Sequence, residues 1–213
     1  LISAATLLIP ITTFGVNASY VKFYPNFVDD KSQKNQFFIY ELTVILLSYC
    51  VVFAFLNLFY EDIRGLFTEK SRILFNYFDV FLLILFCLSI STLFESFLRA
   101  RYDTVITNIV NGVSNRILTA LTLILFSISL ISFEEFINYQ AVIYAFGLFI
   151  LLTYAYRKDK IELNLSFDRI KYKLKEILNF SSYAFIGSFS NIIVLNIDVI
   201  MVTSFLGLSD TGI

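Results

Sequence analysis

The sequence has no histidine and no tryptophan, and only one methionine, two cysteines, two prolines and seven glycines among 213 residues. Without histidine there are no imidazole metal sites, no HExxH zinc motif and no histidine-dependent nucleophilic triad. The glycines are scattered and form neither GxGxxG nor GxxxxGK[ST], so a phosphate-cradling loop is excluded as well. Cys50 and Cys87 fall inside apolar runs, where a thiol packs as a small hydrophobe and says nothing about redox compartment. A net charge of −1 gives no electrostatic basis for nucleic-acid binding. The acidic pairs Asp29–Asp30, Glu61–Asp62 and Glu134–Glu135 sit in connecting loops and read as solvated charge. No metal, no cofactor and no catalytic residue is expected.

What the chain does have is apolar surface. It is 58% hydrophobic and 15% charged, with mean hydropathy +0.77. Those values exclude a soluble domain or a disordered chain and indicate an all-α, polytopic membrane helix bundle. The 25 phenylalanines and 13 tyrosines must supply the interfacial aromatics. Six segments reach the roughly 20 apolar residues that a bilayer span needs. They run over about 1–20, 37–59, 73–97, 104–133, 136–156 and 180–208, with Pro10 and Gly15 as bend points in the first. Leu1 already lies within an apolar stretch and no charged region precedes it, so a signal peptide is not indicated. Both ends read as cut, and a piece of a longer membrane protein is expected.

Loop charge gives the orientation. The first, third and fifth connections carry Lys22, Lys31, Lys34, Arg99, Arg101, Arg157, Lys158, Lys160, Arg169, Lys171, Lys173 and Lys175. The second carries only Arg64, Lys70 and Arg72, and the fourth none. The lysine-rich side is cytoplasmic by the positive-inside rule. In the fifth connection Ser166 is a potential helix cap, followed by Phe167, Ile170, Leu174, Ile177 and Leu178 on one face with Lys171 and Lys175 opposite. That pattern predicts an amphipathic cytoplasmic helix at the membrane surface, or else a short helix packed on a loop.

The polar residues within the spans carry the functional signal. At 100° per residue Thr104, Asn108, Asn111, Asn115, Thr119 and Thr122 fall within roughly 80° of one another. A lipid-facing helix has no use for such a stripe, so it should face other helices or a water-filled path. Arg116 lies beside it. Glu95 and Arg99, at i and i+4, are candidates for an ion pair, and Ser89, Thr92 and Ser96 share their side. Asp79 and Glu41 stand near span ends, where a carboxylate reaches an interface and means little. Asp198 is the costliest charge, near the middle of the last span, with Gly187 and Asn191 within about 40° of it. Two readings of Asp198 stay open: a structural ion pair, or a site, shared with Asn191, for a coupling cation or proton. Polar stripes on three spans imply a bundle around a hydrophilic cavity suited to an anionic or sugar-rich solute.

Several runs carry a family likeness: Phe14-Gly15 with Val21-Lys22-Phe23-Tyr24-Pro25-Asn26-Phe27, Phe94-Glu95-Ser96-Phe97-Leu98-Arg99-Ala100, and Asn115-Arg116. A further run extends from Asn179-Phe180-Ser181-Ser182-Tyr183 through Asn196-Ile197-Asp198 to Phe205-Leu206-Gly207 and Thr211-Gly212-Ile213. With these motifs the chain resembles the polysaccharide (O-antigen type) flippases of the multidrug/oligosaccharidyl-lipid/polysaccharide exporter superfamily. The resemblance implies a transporter of 12 to 14 helices in two lobes, working by alternating access in the bacterial cytoplasmic membrane. Residues 1–156 would be five helices of the first lobe, 157–178 the interlobe linker, and 179–213 the first helix of the second lobe. The cargo would be an undecaprenyl-linked oligosaccharide whose lipid tail stays in the bilayer. Arg116 and Arg99 would meet pyrophosphate or acidic sugars, and Asn108, Asn111 and Asn115 sugar hydroxyls. The alternatives are a multidrug/cation antiporter of the same superfamily, a membrane-embedded polysaccharide polymerase or glycosyltransferase, and a membrane scaffold.

Overall fold

A computed structural model describes residues 1–65, 72–159 and 167–205, with backbone alone at 72–73, 195–196, 198–200 and 202–205. Among the described residues the secondary structure is entirely helical. The helices are α1 (Ile2–Thr13), α2 (Val16–Phe23), α3 (Lys31–Leu58), α4 (Tyr60–Gly65), α5 (Phe78–Arg99), a single turn α6 (Val105–Thr107), α7 (Asn115–Ser127), α8 (Phe133–Lys158) and α9 (Leu174–Phe205). Five stretches are long and apolar enough to cross a membrane: Lys31–Leu58, Leu74–Arg99, Val105–Ser127, Phe133–Lys158 and Lys171–Val194. The pair Ile2–Thr13 and Val16–Asn26, bent by 50°, makes a sixth if counted as one span. The chain is a polytopic all-α membrane bundle.

Of the two bend points expected in the first span, only Gly15 breaks it. Pro10 is carried inside α1, whereas Phe14 (φ 45°) and Gly15 (φ 75°) are both left-handed and separate α1 from α2. The predicted fourth span ends early. α7 stops at Ser127, Ser129 turns the chain at φ 58°, and Phe133 opens α8 instead of closing the span. A capping box fixes that start: the Glu135 N–H donates to Ser132 Oγ (3.2 Å) and the Ser132 N–H to Glu135 Oε2 (2.7 Å). At the other end, α9 runs unbroken from Leu174, so 174–178 extend the last span instead of forming a separate helix. Ser166 and residues 206–213 lie outside the described residues.

α5 is the central helix, packed by α1, α2, α3 and α8. Its apolar residues serve two clusters. One gathers Ala5, Val52, Leu82, Leu85 and Ala141. The other is aromatic, built on Tyr20, Phe37, Phe38, Phe94 and Phe97, with the Tyr20 and Phe37 rings stacked at 5.0 Å. Ile170 and Ile177 are fully buried in this second cluster, with Phe167 and Leu174 packed against it, whereas Leu178 is exposed. Between the clusters along α1 and α5, Thr12 and Ser89 share a buried hydroxyl hydrogen bond of 2.7 Å.

Ion pairs gather the first, third and fifth connections at one end of the bundle. Asp159 is bridged to Lys34 and to Arg101, the latter at 2.5 Å, and Asp103 to Lys158 at 2.5 Å. Arg101 lies 3.7 Å over the Phe97 ring, and its Nε donates to the Tyr24 hydroxyl (2.9 Å). Asp30 caps α3 by accepting from the Ser32 and Gln33 N–H groups and also pairs with Arg169. Those two N–H groups, Ser32 first, hold its carboxyl below the ordinary value. At the opposite end Tyr60 packs on Phe75 and Tyr77 on Phe133, which brings the second and fourth connections together.

Candidate functional site

The polar stripe occupies an irregular membrane-length stretch. Between α6 and α7, residues Asn108–Ser114 form a π-helix, and the Asn115 N–H reaches back to the Val110 carbonyl. π-turns are wider than α-turns, so side chains downstream rotate relative to a straight α-helix. The stripe is thereby divided. Its outer half is interhelical bonding: Thr119 Oγ1 donates to Gln140 Oε1 of α8 (3.2 Å), and Gln140 Nε2 donates to Thr122 Oγ1 (3.1 Å). Its inner half forms a relay toward α5. Asn115 Nδ2 donates to Asn111 Oδ1 (3.4 Å), and Asn111 Nδ2 donates to Glu95 Oε1 (2.6 Å).

Packing explains the close approach of the irregular segment. Gly147 of α8 faces it, and a Cβ there would stand 3.1 Å from Asn115 Oδ1 and 3.2 Å from Val110 Cγ1. Val110 is buried beneath the segment, whereas Asn108, Asn111 and Gly112 are exposed. Asn115 Oδ1 is shielded from solvent and has no hydrogen-bond partner among the described residues. The segment therefore offers exposed amides at Asn108 and Asn111 on a membrane-length helix, with one unmatched but buried acceptor at Asn115 just after them.

Of the residues singled out in the sequence, the structure brings Asn111 and Asn115 together with Glu95. Arg99, one turn along α5, is exposed and its charge acts on Glu95. Glu95 forms its hydrogen bond with Asn111, and no Glu95–Arg99 ion pair occurs among the described residues. Asn108 and Arg116 are exposed on the same helical stretch, Asn108 in the π-helix and Arg116 at the start of α7. Asn191 is exposed on α9, and the Asp198 side chain lies outside the described residues. The hydroxyl stripe of the third span is turned onto its own helix. Ser89 and Ser96 are buried, and the hydroxyls of Ser89, Thr92 and Ser96 donate to carbonyls one turn back at 2.7–2.9 Å.

Sequence reasoning missed two polar residues. Gln140 is 6% exposed and interrupts an apolar run with nothing in the pattern to mark it as a partner of Thr119 and Thr122. Glu41 was expected to reach an interface, but it is 1% exposed in the α2–α3 contact and accepts from Ser19 Oγ at 2.8 Å. The bend at Gly15 and the packing of α2 on α3 and α5 enclose it.

The profile of one family, polysaccharide biosynthesis protein, matches residues 1–213. The chain belongs to that family. No curated protein and no solved structure matches it. Membership joins a membrane helix bundle to polysaccharide biosynthesis.

Proposed function

We propose that this chain forms part of a flippase that moves a lipid-linked oligosaccharide across the bacterial cytoplasmic membrane by alternating access. The observation that carries this reading is the π-helical segment and the residue that follows it, where Asn108, Asn111 and Asn115 concentrate amides on a helix otherwise suited to lipid. Buried amides in a bilayer need partners, and here one acceptor is unmatched and two amide side chains are exposed. Sugar hydroxyls donate and accept in the way such amides require. Arg116 and Arg99 add cationic forks for pyrophosphate or acidic sugars, while the undecaprenyl tail stays in the bilayer. Transport, not catalysis, is the activity we assign.

In this reading residues 1–156 belong to the first lobe of a 12–14-helix transporter, 157–178 to its cytoplasmic linker and 179–213 to the first helix of the second lobe. Asp198, with Asn191, is the site for a coupling cation or proton. The test is headgroup translocation in proteoliposomes with and without an imposed ion gradient. Gradient-stimulated flipping of an undecaprenyl-linked oligosaccharide supports the reading, and its absence in active, folded preparations rejects it. Asp198→Asn should remove the stimulation if the coupling role holds. Glu95 beside the amides favours one second reading, a cation antiporter, since a carboxylate in the path suits a cationic solute. Cation efflux without oligosaccharide flipping in the same vesicles would select it.

A further inference from the structure

We propose that Glu41 and Ser19 form an intramembrane proton-binding site that locks α2 onto α3. Ser19 is fully buried, and its single hydroxyl lies 2.8 Å from Glu41 Oε1 and 3.1 Å from the Val16 carbonyl oxygen. One hydroxyl carries one proton, so Ser19 cannot donate to both oxygens at once. A protonated Glu41 satisfies both contacts: its O–H donates to Ser19 Oγ, and Ser19 donates to Val16. An ionised Glu41 draws the Ser19 proton to itself and leaves the Val16 carbonyl without that bond. The hydroxyl thus has two settings, selected by one proton.

The surroundings favour the protonated setting. Among the described residues no lysine or arginine forms an ion pair with Glu41, and a bare carboxylate buried without a cation is costly. The titratable groups facing it are Tyr20 of α2 and Tyr40 of α3, whose buried hydroxyls have no hydrogen-bond partner among the described residues. Arg101, Tyr24 and Asp159 act on Tyr20. α5, packed on both helices, contributes apolar Phe94 and Phe97 to this cluster.

The setting matters because Val16 is the first residue of α2, next to the left-handed Gly15 on which α9 rests. The proton-bound form closes the chain Glu41–Ser19–Val16 and fixes the start of α2. Proton release opens the chain and loosens the bent helix beneath α9.

Difference infrared spectroscopy of the intact protein in lipid nanodiscs, across a pH series, reads the proton directly. At neutral pH, Glu41→Gln should remove a carboxylic-acid carbonyl band, and Ser19→Ala should move that band by removing its partner. Thermal stability of the parent protein should fall as pH rises through the loss of the band, whereas Glu41→Gln, whose amide N–H donates permanently to Ser19, should stay flat there. Loss of a carboxylate band in place of an acid band overturns the proposal, as does a band that Ser19→Ala leaves unmoved. None of these measurements uses a substrate, so the site stands or falls separately from the flippase reading.

Discussion

Gly15 lies against the backbone of α9: a Cβ on it would stand 2.1 Å from the Ser181 carbonyl oxygen and 3.0 Å from the Phe185 nitrogen. Backbone atoms cannot swing aside as a side-chain tip can, and φ at Gly15 is +75°. Gly15→Ala therefore adds a left-handed penalty of about 1–2 kcal/mol and also pushes α9 away. We predict a lower melting temperature in detergent. Gly187→Ala on α9 is the control. Its Cβ meets nothing within 4 Å, so it should gain roughly 0.5–1 kcal/mol of helix preference instead.

Acid should weaken the end where the basic connections meet. Lys158, then Tyr154, donate to Asp103 and hold its carboxyl below the ordinary value. A carboxyl depressed in the folded state adds stability that is fully present above its unfolded value of about 3.9 and is lost as pH falls through the folded value. Asp103→Asn should lower stability at neutral pH, converge on the parent at low pH and so flatten part of the acid arm of a stability–pH curve. An unaltered acid arm would mean the pair contributes nothing.

Topology can be tested without any substrate. Asp159, Asp103 and Asp30 tie three basic connections to one end, and by the positive-inside rule that end is expected to be cytoplasmic. In a background without Cys50 and Cys87, a cysteine at Tyr172, which is 67% exposed, should react with an impermeant thiol reagent only after the cells are opened. A cysteine at Glu134 should react in intact cells. The reverse pattern would invert the orientation.

The sequence made the membrane class, the number of spans and the polar stripe legible, because hydropathy and charge act over whole segments. It was less informative where one residue decides. Straight-helix periodicity put Asn111 and Thr119 on one face, but a π-turn between them sends Asn111 to Glu95 and Thr119 to Gln140. No hydropathy pattern announces that extra residue in the turn. Glu41 looked peripheral by counting from the span's edge, yet the Gly15 bend folds α2 over it, which is a tertiary event. The capping box at Ser132 was readable as Ser-x-x-Glu and would have corrected the end of the fourth span.

The two halves of the divided stripe should respond differently to the same chemical change. Gln140→Leu removes the bonds to Thr119 and Thr122 in the interface of α7 with α8. Interhelical hydrogen bonds in membranes are worth roughly 0.6 kcal/mol and up to about 1.7. The variant should therefore melt a few degrees lower, with export unchanged at matched protein levels. Asn111→Leu removes an exposed amide and leaves Glu95 without its partner, in a segment where the helix is already irregular. If that amide meets the cargo, export should fall roughly two- to tenfold, the range corresponding to one net hydrogen bond of about 0.5–1.5 kcal/mol. Asn111→Asp keeps the shape but places a second carboxylate beside Glu95, and it should impair export of an acidic cargo more than of a neutral one. The measurements are glycan display at the cell surface and melting temperature, taken together on each variant. An Asn111→Leu protein that exports normally but melts like the Gln140 variant would make the whole stripe helix-to-helix adhesive and remove it from the path.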